Sequence, residues 1–253
     1  MKTSLLIVNA LAATLLLTSC NSPTNQSAGG STTAPTPTKQ ATVVKSLPFN
    51  ASGLLGGTAQ PNLADGDSGK VSVVQIGPLQ KDSGTLIFAF RNNTSDGISH
   101  VDWTATARSG GSIAATGSSQ GTIPAQVKPG ETGLAYIYFD NSAAIPDDAK
   151  YEFTVSTTPI DKSSYNTAPL KVTEATLVGD SIAGSAINQT SEAITGPYSV
   201  PVYCFDGDKL ASQFTTYAEQ DGDIAKGGTV TFSAPLYGDV CKSFVVGVSG
   251  YFS

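Results

Sequence analysis

Residues 85–107, TLIFAFRNNTSDGISHVDWTATA, contain the clearest strand pattern in the chain. Leu86, Phe88 and Phe90 alternate with other residues, a turn-forming N-x-T stretch follows, and a second alternating run surrounds Trp103. Alternation with a period of two is typical of strands that bury one face. A sandwich of two sheets usually buries such a tryptophan in its core. The stretch therefore predicts two consecutive strands, each buried on one face, with Trp103 inside.

The surroundings of this turn recur 96 residues later in the chain. Four residues reappear in the same order: Asn92, Thr94, Ser95 and Ile98 correspond to Asn188, Thr190, Ser191 and Ile194. An alternating strand and a glycine-containing turn follow in each copy, and KPGE at residues 128–131 corresponds to KGGT at residues 226–229. Short strands separated by turns, without a helical period, predict an all-β sandwich fold built from two similar copies.

The second copy contains VPVYCFDGDKL at residues 200–210, which resembles the aromatic–aspartate turn of the FxLYD-type immunoglobulin-like domains of bacterial envelope proteins. The first copy departs from this pattern, since ARSGG at residues 107–111 lacks both the aromatic residue and the aspartate. The resemblance implies two tandem immunoglobulin-like β-sandwich domains, residues 71–159 and 169–253, joined by residues 160–168. The family has no common catalytic site, so the resemblance implies no catalytic residues.

The start of the chain determines the expected compartment. The mostly apolar run at residues 5–17 is shorter than the roughly 20 residues that span a bilayer, and it is typical of a signal peptide. It ends in LTSC at residues 17–20, which resembles the lipobox of bacterial lipoproteins. The resemblance implies that residues 1–19 are removed and that Cys20 carries lipid. This lipid would anchor the protein on the extracytoplasmic face of a membrane, the outer membrane where the cell has two. An ordinary signal peptide with an incidental Cys20 is the alternative.

Two segments separate this motif from the first strand. Residues 20–40, the lipidated cysteine and the chain after it, contain one charge and no large apolar side chain, so we expect a disordered tether. Residues 41–70 are expected to form an irregular lead-in because of their glycines and Pro48. Apolar residues in this lead-in, Leu55 among them, would also allow it to dock as an extra edge strand.

The cysteine count is odd, which leaves one thiol to explain in an exported protein. If Cys20 carries lipid, Cys204 and Cys241 remain, and an oxidising compartment favours a bond between them. Both lie in the second copy, where the first copy has Ala107 and Lys150. Their joint absence from the first copy is what a bonded pair predicts. Two buried thiols are the alternative.

Composition excludes several function classes. A formal net charge of −6 gives no long-range attraction for nucleic acid, so no nucleic-acid partner is expected. His100 is the only histidine, which rules out sites that need two imidazoles, and we expect it at the surface. GSSQG at residues 117–121 matches the G-x-S-x-G pattern of serine hydrolases, but its flanks do not predict the required strand-to-helix turn. We therefore assign no catalytic residue, no metal ligand and no cofactor.

Asp-Gly-Asp occurs at residues 65–67, 206–208 and 221–223, and it has two interpretations. Asp-Gly is a preferred hairpin turn, because glycine adopts a positive φ without strain. Carboxylates two residues apart also suit Ca²⁺, although the later ligands of a full calcium loop are missing. Turns are the expected role, and weak calcium binding stays open.

The aromatic residues Tyr136, Tyr138 and Phe139 lie in one predicted strand, and one face of that strand must be outside. They form either an exposed aromatic pair or an amphipathic strand with tyrosine hydroxyls at its rim. The sequence does not decide between these two arrangements.

These features together predict a non-catalytic, lipid-anchored protein of the cell envelope, with a structural role or with a protein or glycan partner. An envelope glycan hydrolase is one alternative, and it would need a pair of carboxylates facing one cleft. A calcium-dependent adhesion or sugar-binding module that uses the Asp-Gly-Asp sequences is another.

Overall fold

A computed structural model of the chain describes residues 44–162, 167–238 and 240–253. These residues belong to one compact unit. They are nearly all β-strand, and within the described ranges the structure has one short 3₁₀ helix, Ser142–Ala144, and no α-helix. The all-β sandwich-like fold predicted from the alternating pattern is confirmed.

The first copy forms a six-stranded antiparallel sheet. Its strands are β2 (Val71–Gln80), β3 (Thr85–Asn92), β4 (Ile98–Ser109), β5 (Ser112–Ile123), β6 (Thr132–Tyr138) and β7 (Lys150–Pro159), in the spatial order β2-β3-β6-β5-β4-β7. Aromatic rings from distant strands meet inside the sheet, which shows that the sheet folds over on itself. The Phe88 ring of β3 lies 5.2 Å from the Trp103 ring of β4 and 5.1 Å from the Phe153 ring of β7. Trp103 is 3% exposed, so its predicted place in the core is confirmed.

The second copy forms most of an eight-stranded sheet around β10. Its strands are β1 (Gly56–Gly57), β8 (Ala168–Val178), β9 (Ser181–Ile187), β10 (Ile194–Asp206), β11 (Lys209–Tyr217), β12 (Thr229–Pro235), β13 (Ser243–Val246) and β14 (Val248–Phe252). Strand β8 pairs with β14 near its start and with β9 further on, which bends the sheet around a second core. Val202 of β10 and Phe232 of β12 both point into that core.

The two copies share part of their strand order. In the first copy β3 lies between β2 and β6, and in the second copy β9 lies between β8 and β12. The turns that follow β3 in the first copy and β9 in the second copy contain the same side-chain hydrogen bonds. The buried Asn92 and Asn188 side chains each donate to the carbonyl four residues later, at 2.8 and 2.9 Å. Each also accepts from a threonine hydroxyl two residues on, Thr94 at 2.6 Å and Thr190 at 2.7 Å.

One detail of the predicted repeat is wrong by a single residue. The Gly130 N–H donates to the Asn92 carbonyl at 2.7 Å, and the Gly227 N–H donates to the Asn188 carbonyl at 2.8 Å. Both glycines have a positive φ, +79° and +81°. Gly130 therefore corresponds to Gly227, whereas the sequence comparison matched it with Gly228. The turn needs a residue that accepts a positive φ, and two adjacent glycines left the alignment ambiguous.

A third core, the shared core, lies between the two sheets. Its buried members come from the lead-in and from both copies: Leu55, Ala59, Leu63, Ile87, Ala89, Ile123, Leu134, Tyr203, Phe205, Leu210 and Val245. The expectation that β3 buries only one face is therefore wrong, because the second sheet covers Ile87 and Ala89, which are 0% exposed.

The lead-in contributes to this packing. Gly56–Gly57 pairs with β13 as a two-residue strand, and most of residues 44–70 is irregular. Leu55 is 6% exposed and Leu63 is 8% exposed, both against the shared core. Both predicted arrangements of the lead-in are thus present in part, since an irregular segment carries a very short docked strand.

Candidate functional site

A cleft of about 370 Å³, the junction cleft, opens where the two sheets meet. Strands β5 and β6 supply one side of it, and strands β10, β11 and β14 supply the other. The lining residues are Gln120, Gly121, Thr122, Tyr136, Pro197, Ser199, Pro201, Tyr203, Thr215, Tyr217, Ser249 and Tyr251. This volume lies at the small end of the range of small-molecule sites, roughly 300–1,000 Å³.

Two irregularities in strand pairing shape the junction cleft. The register of β5 against β6 shifts between Ser119 and Thr122. The register of β10 against β14 shifts between Thr195 and Ser199. Such bulges change the direction of side chains and are frequent beside functional sites. The first of them contains Gly121, whose φ of +135° is rarely adopted by residues with a side chain.

Four tyrosines line the junction cleft at different depths. Tyr217 is 60% exposed, Tyr251 and Tyr136 are half-buried, and Tyr203 is 1% exposed. Burial raises the pKa of Tyr203 well above its ordinary value, and the neighbouring Tyr136 hydroxyl raises it further. Burial also raises the pKa of Tyr136, against a smaller opposing effect of its hydrogen bond with Thr215. Both phenols are therefore uncharged hydroxyls at neutral pH.

The chemistry of the junction cleft is that of neutral hydrogen bonding. None of the twelve described residues that line it carries a carboxyl, imidazole, amine, guanidinium or thiol group. Hydroxyl groups donate and accept hydrogen bonds, and the tyrosine rings add flat apolar surface. General acid–base catalysis needs a group that exchanges a proton near the operating pH, and the lining offers none. The arrangement is suited to holding a polar, uncharged ligand.

The ionisable groups lie in a neighbouring cavity of about 190 Å³, which shares Gly121 and Thr122 with the junction cleft. His100 and Asp102 line it. The His100 side chain is only 14% exposed, and its Nε2 lies 3.0 Å from Oδ1 of Asp161. The predicted surface histidine is thus only partly exposed. A register shift in β4 just after Ser99 gives His100 a φ of +43°, a conformation that is uncommon for a residue with a side chain.

The predicted disulfide between Cys204 and Cys241 is present. Their Cα atoms are 5.2 Å apart, and both residues belong to the core of the second sheet. The register of the β4–β5 hairpin shifts immediately after Ala107, and the register of the β10–β11 hairpin shifts immediately after Cys204. Ala107 is therefore confirmed as the counterpart of Cys204. The remaining predicted site residue, Cys20, lies outside the described residues, together with the predicted signal peptide and the predicted tether.

The Asp-Gly-Asp sequences lie in turns. Residues 206–208 form most of the β10–β11 hairpin turn, where Gly207 has a φ of +59° and Oδ1 of Asp208 accepts from the Asn62 N–H at 3.1 Å. At residues 65–67, Gly66 has a φ of +74°. Residues 221–223 form a bend. In the part of the chain that the structure describes, no group of three or more His, Cys, Asp or Glu residues is arranged to hold a metal ion.

The G-x-S-x-G match at residues 117–121 lies inside strand β5. The Ser119 hydroxyl accepts a hydrogen bond from the backbone N–H of Trp103 at 2.9 Å. A nucleophile elbow requires a strained turn between a strand and a helix, and this segment is a strand paired on both sides. Ser119 thus has a structural role.

The aromatic strand is resolved in favour of the amphipathic arrangement. Phe139, just after β6, is 1% exposed and belongs to the core of the first sheet, whereas Tyr136 lies against the shared core and Tyr138 is 44% exposed. Of the four tyrosines of the junction cleft, only Tyr136 belongs to the aromatic strand predicted from the sequence. Tyr203, Tyr217 and Tyr251 were not predicted to lie in a site, because they reach the cleft only through packing between the two copies; Tyr203 belongs to the stretch at residues 200–210, whose pattern indicates a turn and no ligand.

No helix among the described residues is long and apolar enough to cross a membrane. No protein-family model matches the chain, and no curated protein is significantly similar to it in sequence. The resemblances to bacterial lipoproteins and to FxLYD-type domains therefore stay predictions.

Proposed function

We propose that this protein is a non-catalytic binding protein of the cell envelope, held to a membrane by lipid on Cys20. The observation that carries the binding function is the junction cleft, which is formed by both copies and lined by uncharged hydroxyl, amide and aromatic groups. It has the size of a small-ligand site and lacks the groups that acid–base chemistry needs.

The alternatives receive less support from the same geometry. A glycan hydrolase of the usual type needs two carboxyl groups roughly 5–10 Å apart across its cleft, and none of the residues lining the junction cleft supplies one. Calcium-dependent adhesion would draw on the Asp-Gly-Asp sequences, but Asp208 is engaged with the Asn62 N–H and its turn closes a hairpin. Binding without catalysis is the function that the cleft favours.

The anchoring part of the proposal rests on the lipobox resemblance at residues 17–20. Two or three acyl chains hold a protein firmly, because each buried methylene contributes about 0.8 kcal/mol. A flexible tether of about 20 residues has an end-to-end distance of roughly 25 Å, which would hold the sheets away from the membrane surface.

Metabolic labelling with a clickable fatty acid tests the anchor. We expect Cys20→Ala to abolish labelling and to release the protein from the membrane fraction, because the thiol is the site of attachment. Ser19→Ala is the matched control, since a small residue remains beside the cysteine and labelling should persist. Equal labelling of the wild type and the Cys20→Ala variant would contradict the proposal.

Catalysis is tested separately by incubating the purified protein with isolated cell-wall glycans. We expect no increase in reducing ends over a heat-inactivated sample. A steady release of reducing ends that disappears in Asp102→Asn would contradict the non-catalytic assignment, because Asp102 lies in the cavity beside the junction cleft.

A further inference from the structure

The groups that line the junction cleft limit the classes of ligand that it can bind. We propose that the junction cleft binds an uncharged saccharide, with the ring of Tyr217 as the surface on which a sugar ring stacks. This inference rests on the proposed binding function and specifies its ligand class.

A sugar ring has a face rich in C–H groups and a rim of hydroxyls, and the junction cleft offers partners for both. Tyrosine rings carry a negative face that attracts polarised hydrogens, and the hydroxyl at their edge stays available for hydrogen bonding. The hydroxyls of Ser199, Thr215 and Ser249 each act as donor and acceptor, which matches the dual character of sugar hydroxyls.

The exposure of the tyrosines orders these partners by depth. Tyr217 is 60% exposed at the end of β11, where its ring is accessible, whereas Tyr203 is 1% exposed and belongs to the shared core. Between them, Tyr136 is half-buried and packs against the shared core. A sugar that stacks on Tyr217 would therefore direct its hydroxyls toward the polar groups deeper in the cleft.

The bulge in β5 leaves a polar group without a partner in the same wall. In the described part of the structure, the buried Oγ1 of Thr122 has no hydrogen-bond partner. Gly121 stands beside it without a side chain and with open space around its Cα, so a ligand can approach the backbone there.

Charge and size exclude other ligand classes. An ionised ligand would lose hydration in a cleft that has no opposite charge to pair with it. A proline-rich peptide also packs on tyrosine rings, but it needs an extended groove. A cleft of about 370 Å³ is better matched to a mono- or disaccharide.

Saturation-transfer NMR on the purified full-length protein tests the inference. The probes are chitobiose, cellobiose and maltose, with glucuronate as the charged comparison and an Ala-Pro-Thr-Pro-Thr peptide as the competing class. We expect transfer to the C–H protons of at least one neutral sugar, with a Kd of about 1 mM, and none to glucuronate.

Three variants locate the site. Tyr217→Ala should weaken binding about tenfold, because the stacking surface is lost, whereas Tyr217→Phe keeps the ring and should stay within about threefold of the wild type. Tyr237→Ala is the matched control, since Tyr237 is 89% exposed and does not line the cleft. Tyr217 is itself mostly exposed, so its replacement should leave the fold intact, which circular dichroism checks.

The outcomes separate this inference from the proposed function. Absence of transfer to every neutral sugar at about 10 mM, or binding that is unchanged in Tyr217→Ala, overturns the saccharide inference. Tyr217-dependent binding of the peptide alone also overturns it and leaves the binding function standing. A sugar that binds through Tyr217 and is then cleaved upholds the saccharide inference and overturns the non-catalytic assignment.

Discussion

Breaking the Cys204–Cys241 disulfide tests whether the two copies unfold together. The bond lies in the core of the second sheet, whereas Trp103, the single tryptophan of the chain, lies in the core of the first sheet. Tryptophan fluorescence therefore reports on the copy that does not contain the disulfide. A Cys204→Ala/Cys241→Ala variant perturbs one copy, and Trp103 shows whether the other copy responds.

The expected size of the effect follows from the sequence separation of 37 between the two cysteines. A crosslink over a loop of this length stabilises by about 4 kcal/mol at 25 °C in the loop-entropy treatment. The loss should pass to the first copy through β10, because Phe205 follows Cys204 and is 3% exposed in the shared core. When β10 unfolds, Ile87 and Ala89 of β3 lose their cover.

Urea unfolding, followed by Trp103 fluorescence and by far-ultraviolet circular dichroism, measures whether the two copies unfold together. With a denaturant slope of about 2–3 kcal/mol/M, both midpoints should fall together by roughly 1.5 M in the variant. Reduction of the wild type is the control for side-chain replacement and should produce the same shift. If the Trp103 midpoint does not move while the circular dichroism transition separates into two steps, the copies unfold independently and the coupling argument is refuted.

Three further changes have defined outcomes. Asn188→Ala should lower the free energy of unfolding in urea by about 2–3 kcal/mol, because four hydrogen bonds of a buried side chain disappear. The control Gln189→Ala replaces an exposed side chain and should leave the free energy of unfolding unchanged, so equal effects of the two changes would contradict the role of the Asn188 turn. Lys162 holds the pKa of Glu192 below its ordinary value, so their interaction stabilises the fold above the unfolded pKa of Glu192 and is lost as the pH falls through the folded one. Lys162→Gln should therefore raise the pKa of Glu192 in an NMR titration, and an unchanged titration would show that the ion pair does not form. Deletion of residues 44–70 should expose part of the shared core and give a protein that aggregates in gel filtration; a monomer with unchanged urea stability would contradict the packing of the lead-in.

The features that were predictable from sequence are those that depend on neighbouring residues or on comparison between the copies. Alternation around Trp103 predicts a strand with a buried face, because side chains of a strand point to opposite sides in turn. The Asn92 and Asn188 turns match because each asparagine bonds to residues only a few positions away. The disulfide was predictable because the positions that correspond to Cys204 and Cys241 in the first copy hold no cysteine.

The features that were not predictable depend on how the copies pack. Ile87 and Ala89 belong to the less apolar side of the β3 pattern, yet both are fully buried because the second sheet lies over them. Tyr203 and Tyr217 have no local signal for a ligand site, since the opposite wall of the cleft comes from the first copy. His100 is only partly exposed because of a register shift in β4, and no turn residue in the sequence indicates that shift.

The packing between the copies also uses one outer face of each copy and, among the described residues, leaves another outer face free of apolar contact. The second copy contributes the outer face of β10, with Tyr203 and Phe205, and the first copy contributes the outer face of β3, with Ile87. In each copy, the strand equivalent to the packed strand of the other copy carries polar or small residues at the corresponding positions. On β4 of the first copy they are polar, Thr106 and Arg108, and Nε of Arg108 lies 2.8 Å from Oε2 of Glu152 on β7.

On β9 of the second copy, the residues corresponding to Ile87 and Ala89 are Ala183 and Ser185. Ser185 forms a hydrogen bond with Thr173 instead of an apolar contact. A head-to-tail contact repeats without end when each copy offers both complementary surfaces. Here each copy keeps one apolar surface and carries polar or small residues on the other, so the contact closes after two copies. The same asymmetry places the tyrosines of β10 and β11 against β5 and β6, and the junction cleft exists once per molecule because the copies are no longer equivalent.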